Sequence, residues 1–135
     1  MSYIVYLGVD PGRDKTGAAL MTAGGILLRQ AILATRDIRA ELETFIGDIP
    51  VAGIVMGNGT TSQTMKEQLE KEFPQLPIYV VNEYNSTQEA KDLYWQLNPP
   101  RGLKKLLPKA LLSTPAAVDG LAAAVLVKRF LGNRR

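Results

Sequence analysis

Residues 3–20 read YIVYLGVDPGRDKTGAAL. The β-rich apolar run Tyr3, Ile4, Val5, Tyr6, Leu7 and Val9 ends on an acid, Asp10, and then on Pro11-Gly12, which cannot continue a central strand. One carboxylate is thereby left at the carboxyl end of a strand, where the backbone turns away. After the charged turn Arg13-Asp14-Lys15 the chain re-enters an apolar run at Gly17-Ala18-Ala19-Leu20, which reads as the hairpin partner. A glycine in that partner permits close approach of a phosphate or a metal. Taken alone, Asp10 equally well opens a turn and does nothing more.

Composition narrows the chemistry. At 135 residues the chain is expected to form one domain, 1–135, with a single core. It has no cysteine, which excludes disulfides, thiolate metal sites and thiol nucleophiles, and no histidine, the commonest general base. Catalysis would have to run on carboxylates, lysines, hydroxyls or a bound hard metal. No apolar run is long enough to span a bilayer, and Met1-Ser2 leads into the first strand without a signal-peptide pattern, so a cytoplasmic protein without a membrane partner is expected. Residues 1–92 carry 8 Lys/Arg against 12 Asp/Glu, while residues 93–135 carry 8 Lys/Arg and one acid, Asp119. A basic second part suggests a surface facing a polyanion, although Lys128, Arg129, Arg134 and Arg135 also suit a solvated tail.

Short connections, with Gly24-Gly25 at the second, predict that strands one to three form an antiparallel meander. Ile38, Leu42, Phe45, Ile46 and Ile49 recur at helical spacing until Pro50, and Val51 to Met56 reads as a parallel crossover strand. Gly57-Asn58-Gly59-Thr60 then leads into a helix burying Met65, Leu69 and Phe73, and offers a modest anion cradle. Pro77 to Val81 reads as a fifth strand. Ser86 with Glu89 forms a capping box for a third helix, stopped by Pro99-Pro100. A basic, proline-punctuated loop occupies 99–113, and Thr114-Pro115 opens a last helix.

Three acids stand beside element boundaries: Asp10 after strand one, Glu83 after strand five and Asp119 about one turn into the last helix. If strands one, four and five are parallel neighbours, their carboxyl ends share the edge at which open α/β sheets bind ligands. The small residues Ala116, Ala117, Gly120, Ala122, Ala123 and Ala124 would let the last helix press close, turning Asp119 toward Asp10. Converging carboxylates stay ionised together only with cations among them, and oxygen-only ligands suit Mg²⁺ or Mn²⁺. Two such ions support in-line phosphodiester displacement without histidine. Glu83 has a simpler reading as a favourable charge near a helix start. Asp119, on an otherwise apolar helix, needs a partner.

The motifs LGVDPG-x3-TG, VMGNGT, VNEYNSTQEA and VDGLAAAVLVKRFL, in this order, resemble the RuvC/YqgF (RuvX) branch of the ribonuclease H-like nuclease superfamily. The resemblance implies an α/β fold whose five-stranded mixed sheet, in order 3-2-1-4-5, is flanked by helices. It implies a metal-dependent nuclease of the Holliday junction resolvase or pre-ribosomal RNA processing kind. Asp10, Glu83 with Ser86 and Thr87, and Asp119 fall on the family's site pattern. This chain departs from the pattern at Gly57-Asn58, where RuvC-type resolvases carry an acid, and at Ala116, where they carry a second helical acid. Asn82 stands where a second acid is common, Gly120 where alanine is usual, and the basic 101–109 segment replaces a short loop.

The expectation is therefore a Mg²⁺- or Mn²⁺-dependent endonuclease acting on branched DNA or structured RNA. Asp10, Glu83 and Asp119 hold the metal. Arg101, Lys104, Lys105 and Lys109 grip phosphates, while Asn58, Thr60, Ser86 and Thr87 orient the site or touch the substrate backbone. A homodimer would suit symmetric cutting. Two other readings stand beside it: a nucleic-acid-binding module of the same fold without turnover, and an actin-like ATPase, which would require a second lobe.

Overall fold

A computed structural model describes residues 4–84, 86–97 and 117–133. The expectations for Tyr3, for the basic segment at 99–113 and for the Thr114-Pro115 cap lie outside these residues.

Strands β1 (Val5–Asp10), β2 (Lys15–Thr22) and β3 (Leu27–Ala34) form the expected meander. Gly25 supplies the positive φ of 93° that the β2–β3 turn needs. The Thr22 hydroxyl closes that turn by accepting the Ile26 N–H at 3.0 Å. A 3₁₀ turn (Thr35–Asp37) leads into α1 (Ile38–Ile46), followed by β4 (Gly53–Gly57), α2 (Ser62–Glu72), β5 (Ile78–Val81), α3 (Ser86–Leu97) and α4 (Ala117–Asn133). The sheet order is β3-β2-β1-β4-β5, with β4 parallel to both β1 and β5. The carboxyl ends of β1, β4 and β5 thus lie on one edge.

Strand alternation divides the core in two. Val5, Leu7 and Val9 point to one face with Ile54 and Met56, beneath Ile38, Leu42 and Phe45 of α1 and Met65 and Leu69 of α2. Tyr6 on the opposite face packs with Ala19, Met21, Val55 and Val81 against Ala123, Ala124, Leu126, Val127 and Phe130 of α4. Helix α3 lies on the flank of α4, where Ala90 meets Leu121, Ala122 and Val125. Residues 121–127 of α4 are all buried, so this helix is apolar all round because neighbours cover its whole circumference.

Close approach of α4 depends on Gly8. A Cβ there would fall 2.8 Å from Val127 Cγ2 and still closer to the Ala123 carbonyl oxygen. Toward the other end of the helix, the Phe130 ring centroid lies 5.1 Å from that of Tyr6 and 4.6 Å from that of Tyr79. Helix α4 therefore runs antiparallel to β1, with Phe130 over Tyr6 and Ala123 over Gly8. Among the described residues no helix is long and apolar enough to cross a membrane.

Candidate active site

Asp10 closes β1 and is half-buried. It follows Tyr6 and Gly8 in alternation, which puts it on the α4 face of the sheet. Its partner on β2 is Gly17, which is itself paired with Ile32 of β3. On the other side β1 and β4 pair as far as Val9↔Met56, and one further step in that register sets Asp10 beside Gly57. Gly57 pairs in turn with Val81 of β5. Asp10 is thus flanked on both sides by glycines.

Glu83 arrives at the same place from β5. A Cβ built on Gly57 points to the α4 face, as Val55 does, and would lie 2.5 Å from Glu83 Oε2 and 3.0 Å from Glu83 Cβ. The other carboxylate oxygen occupies the corresponding space at Gly59. In the Gly57-Asn58-Gly59-Thr60 turn, expected to offer an anion cradle, the room beside Gly57 and Gly59 is thus taken by a carboxylate of the chain itself. Among the described residues, neither oxygen of this half-buried carboxylate has a hydrogen-bond or ion-pair partner.

The backbone of Glu83, in contrast, is held from several directions. Its N–H donates to Asn58 Oδ1 at 3.1 Å, and its carbonyl accepts the Ser86 N–H at 2.9 Å. Asn82 Oδ1 accepts the Tyr84 N–H at 2.8 Å. Arg129 of α4 donates to the Asn82 carbonyl at 2.8 Å and pairs with Glu89. Glu89, expected to reach back in a capping box, thus takes a cation from another helix. Arg129, read from the sequence as facing a polyanion or as part of a solvated tail, instead pairs within the chain, with a partner 40 residues away and beyond any local pattern.

Position 119 is in the first turn of α4, while its side chain lies outside the described residues. It is one turn before Ala123, on the same stripe of the helix. Four helical residues advance roughly 6 Å, and the two strand residues from Gly8 to Asp10 advance roughly 6.6 Å. Position 119 therefore comes level with Asp10. Among the described residues no three acids form a group that could hold a metal ion.

The remaining expected contacts divide by exposure. Thr60 and Thr87 are exposed, but Ser86 is only 5% exposed, so of that pair Thr87 alone offers its hydroxyl to solvent. Asn58 is exposed and turns its oxygen to Glu83. Arg101, Lys104, Lys105 and Lys109 lie outside the described residues. Two threonines missed by the sequence reading fix the turn after Asp10: Thr61 donates to the Pro11 carbonyl at 3.1 Å, and Thr35 to the Gly12 carbonyl at 2.9 Å. Their hydroxyls carry no sequence signal that separates them from surface threonines.

No protein-family model matches the chain. It is 30% identical over 101 residues to a protein of Nitratidesulfovibrio vulgaris (strain Miyazaki F) named "Putative pre-16S rRNA nuclease", covering 64% of this chain and 71% of that one. Among solved structures it is similar to Thermus thermophilus RuvC, with a TM-score of 0.56 and 11% identity over 97% of this chain and 96% of that one. A ROK-family glucokinase from Streptomyces griseus gives a TM-score of 0.49 at 18% identity, over 73% of this chain but 38% of the kinase.

Proposed function

The chain belongs to the RuvC/YqgF branch of the ribonuclease H-like nucleases, and from that footing we propose that it is a divalent-metal-dependent endonuclease cutting phosphodiester bonds in structured nucleic acid. The observation that carries this reading is the meeting of Asp10 and Glu83 around Gly57, on one face and one edge of the sheet. Glu83 supports it further. Its half-buried carboxylate has no partner among the described residues, and a cation sharing the site would offset the cost of burying it.

The donor set fits a hard metal. Asp10, Glu83 and Asp119 supply only oxygen, and the chain has no histidine or cysteine to favour a softer ion. These three residues would hold one or two Mg²⁺ or Mn²⁺. When bound, such ions activate water and stabilise the leaving oxygen of an in-line displacement. The protein's own part is positioning. Glu83 is preset by Asn58, by the Ser86 N–H and by Arg129 acting through the Asn82 carbonyl. The turn after Asp10 is preset by Thr35 and Thr61. Such fixed ligands cost little reorganisation when the substrate arrives. Arg101, Lys104, Lys105 and Lys109 bind backbone phosphates in this reading, and Thr60 and Thr87 add hydroxyl donors.

The relative's name favours RNA as substrate, and precursor 16S rRNA is the first to try. The test incubates the protein with a precursor 16S rRNA fragment and, separately, with a four-way DNA junction, in Mg²⁺, in Mn²⁺ and in EDTA. Cleavage that requires metal and is lost in Asp10→Asn supports the proposal. Binding of both substrates with cleavage of neither would make the protein a binding module and end the nuclease reading.

A further inference from the structure

A cleft of about 270 Å³ opens between the β1–β2 turn and the flank of α2. It runs from Thr60, in the turn before α2, along the side of the helix at Thr64 and Gln68, and is closed on the other side by Gly12, Arg13 and Thr35. Among the described residues, no carboxylate lines it. Thr35 and Thr61 spend their hydroxyls on the turn carbonyls, which makes that wall rigid. Thr60, Thr64 and Arg13, by contrast, have no hydrogen-bond or ion-pair partner among the described residues. Among the described residues, the cleft thus presents one guanidinium and two unused hydroxyls with no carboxylate in its lining.

That combination matches a monoanion with several acceptor oxygens. A guanidinium supplies paired N–H donors suited to phosphate, and hydroxyls complete the contacts without adding charge. A free carboxylate would use fewer of these donors, and an uncharged ligand would leave the arginine unused. The location is also informative, because Gly12 and Arg13 follow Asp10 by two and three residues. The cleft lies just past Asp10 at the β1–β2 turn, on the α2 side of the sheet, whereas Asp10 itself stands on the α4 side.

We propose that the cleft formed by Arg13, Thr60 and Thr64 binds a non-scissile backbone phosphate of the nucleic acid that is cut at the carboxyl edge where Asp10 stands. This rests on the nuclease reading, and adds to it a second grip on the substrate, on the α2 side of the turn and separate from the basic segment at 101–109.

The test measures binding in EDTA, so that cleavage plays no part, with a labelled precursor 16S rRNA fragment titrated at several salt concentrations. Arg13→Gln should weaken binding about tenfold at low salt, the loss expected for one charge-assisted contact. It should also reduce the slope of log K against log salt by roughly 0.7 to 0.9, the share of one phosphate contact. Thr64→Val removes a hydroxyl without changing charge, and should weaken binding about two- to tenfold with the slope unchanged. A wild-type protein that binds with a salt-dependent slope, together with variants identical to it, would overturn the cleft assignment alone. Absence of any binding by the wild type would overturn the nuclease reading and the cleft with it.

Discussion

The carboxylate of Glu83 occupies the space that a side chain at Gly57 would need. A Cβ at position 57 would stand 2.5 Å from Oε2 of Glu83 and 3.0 Å from its Cβ. The end of β4, where RuvC-type resolvases carry an acid, is thus filled here by an acid from beyond β5. Gly57→Ala should push Glu83 off its seat. Cleavage should fall by about tenfold or more, since displacements of about 1 Å at a reacting site cost on that order. Thermal stability should change little, because Glu83 is only half-buried and its side chain makes no polar contact among the described residues that would be lost. Parallel kinetics and melting curves check this. Unchanged cleavage would mean that the seat does not matter.

Gly8 and Ala123 set the distance between the sheet and α4. Backbone faces backbone there, so Gly8→Ala cannot be absorbed by a rotamer change. Overpacking of this kind costs about 1–3 kcal/mol, and Tm should drop by several degrees. A thermal melt reads it directly. An unaltered Tm would show that α4 can retreat without penalty.

Gly120 and Gln30 give a signed prediction. Replacing a helical glycine by alanine gains roughly 1 kcal/mol of propensity. Here the new methyl would stand 2.6 Å from Gln30 Oε1 and 3.1 Å from Gln30 Cβ. Gln30 Oε1 is itself buried without a hydrogen-bond partner, so it gains nothing from its present position. Gly120→Ala should therefore be more favourable in a Gln30→Ala background than in the wild type, by about 1–2 kcal/mol. Chemical denaturation of the four proteins of this cycle measures the coupling. Additivity would mean that the two side chains do not compete for space.

Much of this arrangement is legible in the sequence because it rests on periodicity and on breakers. Alternation in β1, glycine at the β2–β3 turn, helical spacing in α1 up to Pro50, and a short apolar β4 lead to the observed meander and parallel crossover, while the full strand order is what the family resemblance implies. The small residues of α4 correctly signal close packing, and the close neighbour proves to be Gly8. What the sequence hides is what fills a space and what pairs across it. Glycines at 57 and 59 announce room, and room reads as readily as a cradle for a foreign anion as a seat for Glu83. Glu89 has the local look of a capping residue, yet Arg129 takes it because the packing of α3 on α4 brings the two together. Ser86 has the polarity of a substrate contact, but the turn after β5 buries it. Pairing across helices and burial are set by the tertiary fold, and local composition does not report them.

The most direct test of the central claim is calorimetric titration of Mn²⁺ into the wild-type protein and into Asp10→Asn, Glu83→Gln and Asp119→Asn. If the three carboxylates share the ion, the wild type binds Mn²⁺ and each variant, having lost one ligand charge, binds it about tenfold or more weakly. Equal Mn²⁺ affinity in all four proteins, or no binding by the wild type, would contradict a shared metal site at this edge of the sheet.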